Sequence, residues 1–499
     1  MTKLIPHWVD GAPATLTGIR RSPITDPATG QVTAEAVLAN LADVDTVVAS
    51  AKAAAARWRD ASLTERSRVM FRFRELLDTH RTELGALISA EHGKVLADAI
   101  GEVGRGIEVV EFASAIAHTG KGDSSQNVST SVDAHSVRQP VGVVAGITPF
   151  NFPAMVPMWM FPIAIACGNA FILKPSEKDP SVSMRLAELL QQAGLPDGVF
   201  SILQGDASAV NLLLEHPDVD AVSFVGSTLI ARHVYETATR SGKRVQALGG
   251  AKNHMLVLPD ADIGLAADAA VSAGYGSAGE RCMAISVVVA VGDVADRLIP
   301  AVAERIDALK IGPGLSEEPM DMGALVTEAH RDRVAGYVEM GVSEGAELVV
   351  DGRDLTVAGH EDGFWLGPVL FDRVDPDMKI YQDEIFGPVL SVVRVESYDE
   401  GLALINANPY GNGTAIFTND GGAARDFERE VTVGMIGVNV PIPVPMAYYS
   451  FGGWKDSLFG DLHVYGQDGI RFYTRTKAVT VRWPDPHDRG VDLGFPQNR

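Results

Sequence analysis

Cys282 stands in Gly276-Ser-Ala-Gly-Glu-Arg-Cys-Met-Ala284 and is one of two cysteines among 499 residues. Small residues ahead of it leave an approachable backbone, and Arg281 beside it could favour the thiolate, two conditions a nucleophilic cysteine needs. Cys167, in the apolar run Phe161-Pro-Ile-Ala-Ile-Ala-Cys167, reads instead as a packing residue. Four other segments carry chemistry. Asn151, in Thr148-Pro-Phe-Asn-Phe-Pro153, could donate an amide N–H to a developing oxyanion. Lys174 and Glu177, in Lys174-Pro-Ser-Glu177, could grip a ribose. The amides and the Ser227 hydroxyl of Phe224-Val-Gly-Ser-Thr228 suit a diphosphate at a helix start. Glu384-Ile-Phe-Gly-Pro388 sets a carboxylate beside an aromatic ring. Taken singly, each has a bland alternative: an inert thiol, a turn Asn between prolines, a helix start at Pro175, a solvated Glu.

The elements around these segments place them at one edge. Val141–Ile147, Ala170–Leu173, Val199–Leu203 and Ala221–Val225 read as short buried strands, separated by an apolar helix and by helices near 181–193 and 207–215. This βαβα order predicts a doubly wound parallel sheet covered on both faces, with ligands at the carboxyl ends of its strands. Asp43 and Thr64 are expected N-caps of helices in the Ala-rich stretch 43–120. Around 249–264 a strand leads into a new set of elements, and another alternating series runs from Ile285 to about 440. Residues 123–138 resemble a polar hairpin arm, and 470–483 a late strand. Both could pair within the chain or with another subunit.

Composition bounds the function. A net charge of −22 opposes nucleic-acid binding, because phosphate contact needs a positive face. No stretch is long and apolar enough for a membrane span, and the start has no sustained apolar run of a leader, so no membrane partner is expected. Two cysteines so far apart form neither a disulfide framework nor a metal spacing, which predicts a reducing, cytoplasmic setting. Twelve histidines without a His-Glu-x-x-His pair argue against a zinc hydrolase, and no metal is expected.

In combination and order the five segments resemble the NAD(P)-dependent aldehyde dehydrogenase superfamily over about residues 1–483. The resemblance implies that Cys282 attacks an aldehyde, that Asn151 and the Cys282 amide hold the oxyanion, and that hydride passes to NAD. It further implies that Thr148, Phe150, Lys174, Glu177, Lys178, Ser227, Glu384 and Phe386 bind the cofactor. A free carboxylate at Glu177 favours NAD over NADP. The implied architecture is α/β. Residues 1–122 and 139–248 form a discontinuous NAD-binding domain, and 249–457 a catalytic domain. Residues 123–138 and 458–499 form a small β oligomerisation arm and C-terminal segment of a homodimer or homotetramer.

One departure sharpens the reading. Hydrolytic members carry Glu-Leu-Gly-Gly, whose Glu activates water, where this chain has Ala247-Leu-Gly-Gly250. Loss of a general base typically costs about a hundredfold to ten-thousandfold, whereas a thiol needs less help than water. Gly249-Gly-Ala-Lys-Asn-His254, Gly437-Val-Asn-Val-Pro-Ile-Pro-Val-Pro445 and Pro409-Tyr-Gly-Asn-Gly-Thr-Ala-Ile-Phe417 look like the CoA-acylating methylmalonate-semialdehyde dehydrogenases. That resemblance implies oxidation of methylmalonate or malonate semialdehyde with NAD and CoA, giving propionyl-CoA or acetyl-CoA, NADH and carbon dioxide. Arg105 and Arg281 match its arginine positions and would clamp the substrate carboxylate. A surface pairing of Arg105 with Glu102 or Glu108 is the competing reading. Arg281 is also expected to lower the pKa of Cys282. Two alternatives remain: a hydrolytic enzyme with a substitute base such as Glu280, and an idle relative serving as a binding protein.

Overall fold

The computed structural model describes residues 2–483 together with 487, 491 and 494. Val143–Ile147, Ala170–Lys174, Phe200–Ile202, Ala221–Val225 and Arg244–Leu248 are short apolar runs, buried almost throughout, as parallel strands covered on both faces should be. They pair in parallel in the order Arg244–Leu248, Ala221–Val225, Val143–Ile147, Ala170–Lys174, Phe200–Ile202. Antiparallel edge strands extend this sheet to eight: Leu458–Phe459 at one side, His7–Val9 and Ala12–Ala14 at the other. The winding reverses between Val143–Ile147 and Ala221–Val225, and such a switch point opens a crevice at the strands' carboxyl ends.

After Leu248 the chain leaves this sheet and enters a second, seven-stranded one at Asn253–Val257. That sheet is parallel except for its edge strand Glu347–Val350. Its order places Ile285–Val291, which follows the Cys282 loop, beside Asn253–Val257. The hairpin Ser124–Ser129 and Val132–Pro140 pairs along its length with Thr474–Arg482, so the two outlying segments meet within the chain.

Several expectations need correcting. The helix Leu41–Trp58 is capped by Asn40, not Asp43. The Asn40 side chain accepts the Asp43 N–H while the Asp43 carboxylate accepts the Asn40 N–H, a reciprocal box in which Asp43 holds the third helical position. Ser62, not Thr64, caps Leu63–Thr79. The late strand begins at Thr474, because 470–472 finish the helix Gly466–Phe472. Leu458–Phe459 belongs to the large sheet rather than to the arm. Of the C-terminal segment 458–499, residues 484–486, 488–490, 492–493 and 495–499 lie outside the described residues. Among those described, no helix is long and apolar enough to cross a membrane.

Candidate active site

Cys282 ends a strained turn. Ser277 and Ala278 hold left-handed backbone angles, φ 53° and 50°, which cost L-residues energy and persist only where surroundings enforce them. Gly279 follows at φ 72°, and a Cβ there would lie 2.2 Å from the Gly387 carbonyl oxygen, so only glycine fits. Two side-chain amides, one at the start of a strand of the second sheet and one just before another strand of it, pin the Cys282 backbone. The Nδ2 groups of Asn253 and Asn412 donate to the Cys282 carbonyl at 2.9 and 3.1 Å.

The Cys282 side chain borders two cavities. One, of about 280 Å³, is lined by Phe150, Asn151, Ser227, Glu384 and Phe386 with His330 and Arg333. These side chains come from the carboxyl ends of two neighbouring strands at the switch point, from the loop after Gln382 and, for His330 and Arg333, from the helix Glu328–Glu344. The other, of about 450 Å³, is lined by Arg105, Arg281, Asp98 and Glu102, with an apolar wall that includes Phe152, Trp159 and Phe451. Asp98, Glu102 and Arg105 share one face of the helix Leu96–Ser114 at spacings of four and three.

The expected cofactor residues fall into two groups. Phe150, Ser227, Glu384 and Phe386 line the smaller cavity. Thr148, Lys174, Glu177 and Lys178 lie along the adjoining strand ends. Thr148 N–H donates to the Lys174 carbonyl at 3.2 Å, Lys174 Nζ donates to Glu177 Oε2 at 3.1 Å, and Lys178 Nζ sits 4.4 Å from the Phe150 ring centre. Two features suit an incoming nucleotide. Ser227 heads the helix Thr228–Arg240 without spending its hydroxyl on that helix, and the buried Thr148 hydroxyl has no protein partner.

Asn151 Nδ2 donates to the Glu280 carbonyl at 3.0 Å, which leaves its second N–H available. Both arginines already hold carboxylates. Arg281 donates to Asp98 at 2.7 Å. Arg105 donates to Glu108 at 2.7 Å and to the Pro445 carbonyl at 2.9 Å. Glu102, the other partner considered for Arg105, pairs with Lys94 instead.

Burial pushes the Cys282 thiol up to about 12, with the Glu384 carboxylate acting in the same direction. The backbone amides of Cys282 and Met283, and then Arg281, pull down by less. Arg281 thus has the expected sign without deciding the outcome. Burial also raises Glu384 to about 7, against the Ala251 N–H that donates to it at 2.8 Å. Cys167 lies in the core and is likewise pushed up to about 12 by burial.

Glu280 is fully buried and lines neither cavity. It accepts from Val326 N–H at 3.3 Å and lies 3.4 Å from His330 Nε2 and 3.8 Å from His92 Nε2. Ala247 is fully buried in the apolar core and lines neither cavity. Sequence reasoning missed Lys94, Asp98, His330, Asn253 and Asn412. Only the last two had a signal, as polar residues inside motifs already singled out.

The aldehyde dehydrogenase family model matches residues 16–479. A malonate-semialdehyde dehydrogenase of Pseudomonas aeruginosa is 57% identical over 479 residues, covering 96% of each chain. A malonate-semialdehyde dehydrogenase of Geobacillus thermodenitrificans is 50% identical, covering 96% of this chain and 97% of its own. Among solved structures, a methylmalonate-semialdehyde dehydrogenase from Oceanimonas doudoroffii superposes with a TM-score of 0.96 at 51% identity, covering 98% of this chain and 99% of that one. A provisionally named methylmalonate-semialdehyde dehydrogenase from Sinorhizobium meliloti, complexed with NAD, gives 0.96 at 54% identity, covering 97% and 99%.

Proposed function

The chain belongs to the aldehyde dehydrogenase family, and we propose that it oxidises malonate semialdehyde or methylmalonate semialdehyde with NAD and CoA. The observation that carries this reading is that Cys282 lies between two cavities of different chemistry. On one side are a helix N-terminus, a carboxylate and aromatic rings; on the other are two arginines within an apolar wall.

The substrate's carboxylate docks on the Arg105 and Arg281 guanidiniums, whose planar forks suit it. Its aldehyde carbon then faces Cys282. The thiol loses its proton and adds to the carbonyl, and the free N–H of Asn151 donates to the oxyanion. NAD, held by Ser227 at its diphosphate, Lys174 and Glu177 at one ribose and Glu384 at the other, supplies the hydride acceptor. Loss of hydride leaves a thioester on Cys282. The β-carboxylate of that thioester departs as carbon dioxide, and the carbon left behind takes up a proton. The CoA thiolate then displaces Cys282, releasing acetyl-CoA or propionyl-CoA.

A thiol acceptor, rather than water, follows from Ala247, which offers no base, and from Glu280, which is fully buried and lines neither cavity. The outer edge of Thr474–Arg482 is free to pair with a second copy in a homodimer or homotetramer. Two free thiols suit the reducing cytoplasm.

The deciding assay supplies either semialdehyde and NAD, with and without CoA, and identifies the product. Acyl-CoA formed only when CoA is present is the expected result. Free acid formed at the same rate without CoA would point to the hydrolytic enzyme, and no NADH at all to the idle relative.

A further inference from the structure

We infer that the buried ion pair Lys94–Glu102 is a positioning device that holds Asn151 and Phe152 for aldehyde oxidation, an inference that rests on the roles proposed above for Cys282 and Asn151. Both side chains are fully excluded from solvent, with Lys94 Nζ 2.8 Å from Glu102 Oε2. Buried pairs of this kind are often no more stabilising than apolar residues of the same size, so stability alone is a weak reason for one.

Their remaining bonds point to another reason. Lys94 Nζ donates to the Asn151 main-chain carbonyl at 2.6 Å and lies 4.3 Å from the centre of the Phe152 ring. Glu102 Oε1 accepts the N–H groups of Ala154 and Met155 at 2.9 and 3.1 Å. Those amides open the helix Met155–Ala166, whose own cap residue Ala154 has no side chain to satisfy them. A carboxylate from another helix does so, where the helix dipole favours negative charge.

The pair therefore fastens both ends of the stretch 151–155. Asn151 borders the cofactor-side cavity, while Phe152 and Met155 wall the arginine-lined one. Glu102 shares its helix with Asp98 and Arg105, so one rigid element sets the oxyanion donor and both arginine contacts together.

The test is the double variant Lys94→Met/Glu102→Met, which replaces the pair with apolar side chains of similar length. It should fold and bind NAD unchanged, melting below the wild type because the Asn151 carbonyl and the Ala154 and Met155 N–H groups lose their partners. Its single-turnover NADH burst with propanal should slow at least about tenfold, because small displacements at a reacting centre and lost oxyanion donors carry costs of this order or larger. The KM for propanal should change little. A crystal structure of the variant should show Asn151 displaced. A purely structural pair predicts the opposite, namely that a folded double variant bursts normally. A burst within twofold of wild type, or an unmoved Asn151, overturns the inference. Glu102→Gln, which keeps an acceptor for Ala154 and Met155 but removes the charge, takes the same readouts if the double variant does not fold. A wild type that makes no NADH refutes the proposed function, and the position of Asn151 in the variant's crystal then decides this inference by itself.

Discussion

The Arg281 guanidinium donates to Asp98 Oδ1 at 2.7 Å across the wall of the larger cavity, so this cation, like Arg105 with Glu108, is already paired before any substrate arrives. Asp98 Oδ2 has no partner. Burial alone would raise the Asp98 carboxyl, yet Arg281 and then Lys94 hold it below its usual range. The arginine thus neutralises a built-in carboxylate and, in the proposed clamp, must still attract a second one.

This predicts different outcomes for the two arginines. Arg105→Leu and Arg281→Leu should each raise KM for malonate semialdehyde at least tenfold while leaving KM for propanal nearly unchanged. Equal effects on both aldehydes would remove the carboxylate role. Arg281→Leu should also lower thermal stability more than Arg105→Leu, because it strands Asp98, whereas Glu108 stays more open to water. The loss should fall between the ~1 kcal/mol of an exposed pair and the ~3–5 kcal/mol of a buried one. Adding Asp98→Leu should recover stability without recovering KM.

The raised thiol of Cys282 has a kinetic signature. With the thiol near 12, only its rare thiolate form reacts, so inactivation by iodoacetamide should climb about tenfold per pH unit between pH 7 and 10 without a plateau. Glu384→Gln removes a negative charge that helps keep the thiol protonated and should speed alkylation several-fold at pH 9. A plateau below pH 8 in the free enzyme would show that the thiolate is stabilised before substrate binds. Cys282→Ala should abolish NADH formation altogether.

Much of this site was legible in the sequence because its chemistry is local. Cys282, Asn151, Ser227 and Glu384 each sit in a short segment whose small residues and prolines give away a strand end or turn, and the βαβα order brings those ends together. What stayed hidden depends on partners distant in the chain. Asp98 meets Arg281 across 183 positions, and Lys94 meets the Asn151 carbonyl across 57. A lone Lys in a connection, or a lone Asp on a helix, reads as solvated until tertiary packing buries it. The downward pull of Arg281 on the Cys282 thiol was legible from their adjacency, whereas the desolvation that outweighs it, and Glu384, 102 positions on, are not visible in the sequence. The expected caps Asp43 and Thr64 lie three and two residues past the true caps Asn40 and Ser62, because cap and first-turn positions favour overlapping residue types.

Ala247 predicts a stalled enzyme in the absence of CoA. With no carboxylate at that position, the thioester on Cys282 should form once and persist. One equivalent of NADH per active site should then appear in a burst, followed by turnover at least ~100-fold slower than with CoA. Quenched samples should carry the acyl mass on the peptide containing Cys282. Undiminished steady turnover without CoA would show that water reaches the thioester with the help of some other base.

Glu280 offers the sharpest separation of structural from catalytic roles. Burial raises its carboxyl to about 8, outweighing the Val326 N–H and the distant Lys94 and Lys178 charges that favour ionisation, so at pH 7 it is mostly the neutral acid. Gln is then a close mimic, and Glu280→Gln should retain most activity with CoA at pH 7 and show no change in the slow rate without it. A substitute base for water would lose that slow rate. Stability gives an independent check. A folded-state pKa raised above the unfolded value near 4.3 contributes stability that is fully present below about pH 4.3 and is lost as pH rises toward 8, because the unfolded chain releases its proton first. The loss can reach ~1.4 kcal/mol per pH unit. Glu280→Gln does not ionise, so its unfolding free energy should gain on the wild type steadily between pH 5 and 8 in urea titrations. Parallel curves for the two proteins across that range would place an ionised carboxylate, not a neutral acid, beside His330 and His92.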